Sequence, residues 1–229
     1  MNEKEIVLIT GGSRGLGKAI AMELKNKYQV IITSEKESEL KETASKLNID
    51  YYVCDVSDYA QIDKAVSNIS EKYGKIDVLI NNAGIWIQGP LENNDPEYIK
   101  KTFEINTLGV VFMTRAVLPM MINKKSGTIL IVNSVSGITT KPERTVYDSS
   151  KWALTGFTEC LRQEVSKHRI KVLSLHPSLM NTAFFEKAGK LRDVQKAIEP
   201  KEVAKVVSYM LSVEGDNFLS QVVIRNLNY

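Results

Sequence analysis

The sequence predicts an α/β protein, with helices on both faces of a doubly wound parallel sheet. Three observations carry that expectation. Short apolar runs rich in isoleucine and valine, the pattern of strands buried on both faces, alternate with longer helical patterns. The connections between them are short, which suits strand–helix–strand crossovers. The first apolar run, Ile6-Val7-Leu8-Ile9, passes directly into a glycine-rich turn and a helical pattern. Such crossovers are right-handed and leave ligand sites at the carboxyl ends of the strands.

The expected elements follow in order. A strand over Ile6–Thr10 enters Thr10-Gly11-Gly12-Ser13-Arg14-Gly15-Leu16-Gly17, and a helix covers Leu16–Lys27. A strand, a tight turn and a helix N-terminus make a phosphate cradle, because the glycines admit a pyrophosphate and the free N–H groups point at it. Glycines at 11, 15 and 17 give G-x-x-x-G-x-G rather than G-x-G-x-x-G. Glycines so spaced also serve ordinary turns. A strand over Val30–Thr33 and a helix over Glu37–Leu47 come next. The third strand, Tyr51–Asp55, ends on a carboxylate that can accept from an adenine amino group, with the Val56 backbone beside it. Ser57-Asp58 offers the other reading, a cap for the helix Tyr59–Tyr73.

The fourth strand, Asp77–Asn81, leads into Asn81-Asn82-Ala83-Gly84. Those small residues let a ribose pass close to the backbone, or form a plain turn. Pro96–Met121 reads as one long helix, and Asn106 is odd inside it. Asparagine is a poor helix former, and its position marks a kink or a buried site. The strand Gly127–Ser134 ends on a hydroxyl that can hydrogen-bond a substrate oxygen. A helix over Ser149–Ser166 follows Tyr147-Asp148-Ser149-Ser150-Lys151, whose spacing of four puts the tyrosine and lysine on one face. An ammonium near a phenol favours the phenolate and lowers its pKa from about 10, which makes a usable acid or base. A surface ion-pairing face explains the same spacing. The strand Lys171–Pro177, the helix Lys201–Leu211 and the strand Val222–Arg225 complete the pattern. Between the first two lies the irregular Asn181–Pro200, whose Phe184-Phe185 pair makes it a candidate lid.

A chain of 229 residues suits one domain spanning residues 1–229. Its 43% hydrophobic and 25% charged content is ordinary for a globular protein. A net charge of +3, with no run of five like charges, argues against a nucleic-acid partner. Cys54 and Cys160 lie far apart, without metal-ligand spacing, and are expected to be reduced, buried and structural in a cytoplasmic protein with no metal. The charged N-terminus resembles no signal peptide, and no segment is expected to reach the apolar length of a membrane span.

Together these motifs resemble the short-chain dehydrogenase/reductase family, from Ile6 to Leu211 and in the family's order. The resemblance implies a Rossmann-type fold of about seven strands and a nicotinamide dinucleotide. It implies a catalytic tetrad of Asn106, Ser134, Tyr147 and Lys151. Tyr147 would exchange a proton with the substrate oxygen, and Ser134 would hold that oxygen. Lys151 would bind the nicotinamide ribose, and Asn106 would support a water that supplies protons through Lys151. The implied cofactor contacts are Gly11, Ser13, Arg14, Gly15, Leu16, Gly17, Ser34, Asp55, Val56, Asn82, Ala83, Gly84, Tyr147, Lys151, Pro177, Met180 and Thr182.

Two departures bear on the pocket. Ser178 stands where the family's Pro-Gly-x-x-x-Thr has glycine, and serine fits poorly if that position needs a positive φ. The run Val222 to Tyr229 lacks the family's glycine-containing tail, and the loop near Thr182–Pro200 is short. These features give limited support to an alternative, a catalytically weak dinucleotide-binding regulator or scaffold. Trp86, Ile87, Phe184 and Phe185 are candidate apolar walls, or ordinary core. The expected substrate is a small carbonyl or alcohol. NADP(H) is favoured over NAD(H): Ser34 replaces the ribose-binding aspartate, and Arg14 and Lys36 can meet a 2′-phosphate, with Glu35 opposing. Apolar residues on the two long helices (Val110, Phe112, Met113, Trp152, Leu154, Phe157) point to a homodimer or homotetramer.

Overall fold

A computed structural model describes residues 4–184 and 196–227. Seven parallel strands form one sheet in the order β3-β2-β1-β4-β5-β6-β7. They are β1 (Ile6–Thr10), β2 (Gln29–Ser34), β3 (Asp50–Val53), β4 (Val78–Asn81), β5 (Gly127–Val132), β6 (Ile170–Pro177) and β7 (Gln221–Ile224). Every residue of β1 is buried, and Val7 lies opposite Val30 on one side and Val78 on the other. Strands buried on both faces have no polar alternation, which is why they read as plain apolar runs.

The helices are α1 (Gly15–Leu24), α2 (Glu37–Leu47), α3 (Tyr59–Tyr73), α4 (Pro96–Phe103), α5 (Gly109–Lys124), α6 (Thr145–Val165) and α7 (Pro200–Leu211). Helices α1, α2 and α7 cover one face, with Ile20, Leu24, Leu40 and Val207 packed against Val7, Ile9 and Ile32. Helices α3, α5 and α6 cover the other, with Ile62, Ile69, Val117 and Leu154 against Leu8, Ile31 and Ile129. The ends are set locally. The Asp58 carboxylate caps α3 by accepting from the Ala60 and Gln61 N–H groups, and Gly74, at φ 72°, ends it.

Some boundaries differ from the sequence reading. β3 ends at Val53 and β5 at Val132, so Asp55 and Ser134 lie just beyond their strands. α6 begins at Thr145, which puts Tyr147 in its first turn. The expected single helix Pro96–Met121 is interrupted by a π-helical turn over Glu104–Leu108, centred on Asn106. That turn carries the kink the asparagine marked. Two expectations need correction. The run Pro96–Lys124, 29 residues long, is long and apolar enough to cross a membrane. Val110, Met113, Val117 and Met121 pack into the core beneath it, and 39% of its most apolar stretch is buried. Cys54 is buried as expected, but Cys160 is exposed on the outer side of α6, and both are free thiols.

Candidate active site

The strand order reverses between β1 and β4, so the segments that follow their carboxyl ends diverge and leave a crevice between them. A polar clamp holds the gap. Thr10 Oγ1 accepts from the N–H groups of Asn82 and Ala83, at 3.0 Å each. Asn82 Nδ2 donates to the carbonyls of Thr10 and Gly11, at 3.0 and 3.2 Å. The loop needs its glycines for distinct reasons. Gly11 has φ +63°, and a Cβ there would stand 2.9 Å from Ala83 Cα. A Cβ on Gly17 would stand 2.2 Å from the Gly11 carbonyl oxygen, so this glycine seats α1 against the loop. Gly12, which the sequence reading passed over, is equally constrained, because a Cβ would meet Ile32 at 2.5 Å. The first turn of α1 has no side-chain cap. Its N–H groups are left for a phosphate.

A cavity of about 370 Å³ runs from this loop across the strand ends. Its wall includes Gly11, Ser13, Arg14, Gly15, Leu16, Ser34, Asp55, Val56, Asn82, Ala83, Gly84, Pro177, Met180 and Thr182. Ser134, Tyr147 and Lys151 line its other end. Of the expected site residues, Gly17 and Asn106 lie behind the wall. The shape suits an extended dinucleotide, with the pyrophosphate at the glycine loop.

At the β2 end, a chain of hydrogen bonds runs from Ser13 Oγ to Ser34 Oγ (3.1 Å) and from there to Glu35 Oε2 (3.0 Å). Glu35 therefore faces the cavity, whereas Lys36 turns away to pair with Glu39 at 2.9 Å. The expected contribution of Lys36 to a 2′-phosphate is thus corrected. Asp55 Oδ1 accepts from the Ser57 N–H (2.9 Å) and hydroxyl (2.7 Å), so the carboxylate lines the cavity while bracing the turn before Asp58. Cys54 also lines the wall, and burial pushes its thiol up to about 12.

At the other end, Lys151 is 4% exposed and sits under the cavity floor. Its Nζ donates to the Val132 carbonyl at 3.3 Å and lies 5.9 Å from the centre of the Tyr147 ring. Burial lowers the Lys151 pKa to about 8, which weakens the cation that is expected to act on the phenol. The Tyr147 ring is buried, 4.3 Å from the Trp86 ring and 6.4 Å from that of Phe184. Ser134 Oγ accepts from the Ser136 N–H at 3.1 Å and so caps a short turn over Val135–Gly137. Both Nδ2 protons and one Oδ1 lone pair of Asn106 are engaged. Its Oδ1 accepts from the Ile85 N–H (2.7 Å), and its Nδ2 donates to the Ile85 carbonyl (3.0 Å) and Ser150 Oγ (3.1 Å). Its side chain ties the stretch after β4 to α6 at Ser150, next to Lys151.

Ser178 is not among the residues with positive φ. Serine therefore fits this backbone, and the departure from glycine carries no strain. Its N–H donates to the Ile224 carbonyl at 2.9 Å, and its buried hydroxyl has no partner among the described residues. Trp86 and Phe184 line the cavity, whereas Ile87 is packed in a small cluster with Val146 behind it. Phe185 and most of the candidate lid lie outside the described residues.

Sequence reasoning missed several wall residues, among them Tyr98, Lys101, Lys141 and Arg144. Arg144 carried a usable signal. It occupies the N-cap of α6, where a cation opposes the helix dipole and caps nothing. His176 was also missed. It is 1% exposed on β6, and its ring bridges Ser174 and Ser134.

Comparison with known proteins places these features in context. The short chain dehydrogenase family model matches residues 5–193. The 3-oxoacyl-[acyl-carrier-protein] reductase of Thermotoga maritima is 32% identical over 235 residues, covering 96% of each chain. The NADP-dependent 3-hydroxy acid dehydrogenase of Schizosaccharomyces pombe is 33% identical over 224 residues, covering 90% of this chain and 86% of its own. Among solved structures, the alcohol dehydrogenase of Thermococcus sibiricus, complexed with 5-hydroxy-NADP, superposes with a TM-score of 0.88 at 25% identity. The match covers 99% of this chain and 98% of that one.

Proposed function

The chain belongs to the short-chain dehydrogenase family and is an oxidoreductase, and on that premise we propose that it interconverts a carbonyl and a secondary alcohol with Tyr147 as the acid–base group. The observation that carries this reading is Lys151, buried beside Tyr147 on the same cavity that the glycine loop opens. A buried lysine without an acidic partner is costly, and groups perturbed in this way cluster at functional sites.

A bound nicotinamide dinucleotide would supply the hydride for reduction and accept it in oxidation. Arg14, the glycine loop and the free end of α1 would hold its phosphates, and Lys151 its nicotinamide ribose. Tyr147 gives its phenolic proton to the carbonyl oxygen during reduction and takes it back during oxidation. Ser134 donates a hydrogen bond to that same oxygen and fixes its position. Lys151, as a cation, stabilises the phenolate that the proton transfer leaves behind. Asn106 keeps Ile85 and Ser150 in register and so keeps Lys151 in place.

NADP(H) is the proposed cofactor. Its support is Arg14 on the wall, Ser34 in place of an acid, and NADP in the name or complex of two relatives. Glu35 on the same wall works against a 2′-phosphate. We propose a cytoplasmic homodimer or homotetramer, paired through the outer faces of α5 and α6. Val110, Met113 and Leu154 are core residues and contribute nothing to such a face, whereas Trp152 is 46% exposed and Leu108 43%. Phe112 and Phe157 are partly buried beside them.

The test of the activity is a panel of ketones and secondary alcohols with NADPH, NADH and their oxidised forms, followed at the reduced-nicotinamide absorbance. Turnover supports the reading. Tight cofactor binding with no turnover on any compound contradicts it.

A further inference from the structure

The cavity wall is asymmetric in charge. Its acidic residues, Glu35 and Asp55, follow β2 and β3 at the end beside the glycine loop. The end around Tyr147 has no acidic side chain among the described lining residues, but holds Lys101, Lys141 and Arg144. Lys101 and Lys141 are exposed, whereas Arg144 is half-buried.

Arg144 is the one of the three packed against a ring. Its guanidinium carbon lies 5.2 Å from the centre of the Trp86 ring, in a cation–π contact. Trp86 lies in turn 4.3 Å from the Tyr147 ring. A cation, an indole and the proposed acid–base group therefore follow one another along a single wall. Among the described residues, the arginine salt bridges belong to Arg162 and Arg169, which leaves Arg144 without an acidic partner. The cation opposes the dipole of α6, and the Trp86 contact leaves its N–H donors open to an anion.

We propose that the substrate is a short keto acid, held by its carboxylate on Arg144 with its ketone at Tyr147. This rests on the reading of the site as a carbonyl reductase. A planar guanidinium matches a carboxylate with two parallel charge-assisted hydrogen bonds. One stacked guanidinium balances one carboxylate charge, while a phosphate dianion asks for more than the exposed lysines hold in place. The short path along the wall places the acid a few bonds from the ketone. On reduction the ketone carbon gains a hydride from NADPH, its oxygen gains the Tyr147 proton, and the carboxylate is unchanged.

The test compares 3-oxobutanoate and 4-oxopentanoate with their methyl esters, and with dihydroxyacetone phosphate, in wild type, Arg144→Gln and Arg144→Lys. The expected wild-type preference for acid over ester is about 10- to 100-fold in kcat/KM, the range of a charge-assisted contact. Arg144→Gln removes that preference, mainly through KM for the acid, and Arg144→Lys restores part of it. Calorimetry on NADPH-loaded Tyr147→Phe gives a readout without turnover, and adding Arg144→Gln weakens acid binding by a similar factor. Equal use of acid and ester by wild type, a preference that survives Arg144→Gln, or a preference for the phosphate overturns the carboxylate assignment while leaving the reductase standing. Failure of wild type to reduce the acids, the esters and every other ketone contradicts the reductase reading itself.

Discussion

His176 Nδ1 lies 2.9 Å from the main-chain carbonyl of Ser134, and its Nε2 lies 2.7 Å from Ser174 Oγ. A carbonyl only accepts, so Nδ1 carries the proton and the Ser174 hydroxyl donates to Nε2. One neutral ring thus ties β6 to the loop that carries the proposed oxygen-holding serine.

Burial lowers the His176 pKa, with the Lys151 cation adding to that effect and the Ser134 hydrogen bond opposing it. The sign follows from linkage. A depressed folded pKa gives stability that is complete above the unfolded value, about 6.5, and is lost as pH falls below it. His176→Leu orphans the buried Ser174 hydroxyl, at about 1–3 kcal/mol, while the Ser134 carbonyl keeps the Gly137 N–H at 2.9 Å. Urea denaturation at pH 7.5 is expected to show that loss. At pH 5.5 the gap between wild type and variant narrows, because wild type alone pays to keep the ring neutral. A gap independent of pH contradicts the neutral bridge.

Ser178 gives a prediction opposite to the one its motif position invites. Because its φ is not positive, restoring the family glycine brings no relief of strain. Ser178→Gly is expected to lower stability by about 0.4–1 kcal/mol through added freedom in the unfolded chain. Ser178→Ala removes a buried hydroxyl that has no partner among the described residues and is expected to be neutral or stabilising. The readout is the urea midpoint at unchanged slope, and a gain in stability for the glycine variant goes against this account.

Cofactor choice pits Arg14 against Glu35 across one region of the cavity. Arg14→Ala is expected to lower the NADPH-to-NADH ratio of kcat/KM by about tenfold, and Glu35→Gln to raise it by a similar factor. A wild-type preference for NADH, or a ratio that neither change moves, removes the case for NADP(H).

The legibility of this chain divides along physical lines. The fully buried strand β1 and the glycine loop were readable because burial on both faces and close backbone approach each demand particular residue types. Asn106 was readable as a misfit, and the π turn is its consequence. What it touches was not, because Ile85 and Ser150 reach it only through the tertiary fold. Lys36 and Glu35 are adjacent in sequence, and nothing local says which one faces the cavity. His176 looks like any polar residue in an apolar run until β5 and β6 are paired. Of these, Arg144 alone left an unread local sign, a cation at a helix start.

The central claim is that Tyr147 moves the proton and Lys151 supports it from beneath. The most direct measurement is kcat of Tyr147→Phe on a ketone that wild type reduces, alongside the NADPH dissociation constant of the same protein. The account predicts a loss of about 100- to 10,000-fold in kcat with cofactor affinity nearly unchanged, and weakened affinity as well in Lys151→Met. A Tyr147→Phe enzyme that keeps more than about a tenth of the wild-type rate contradicts it.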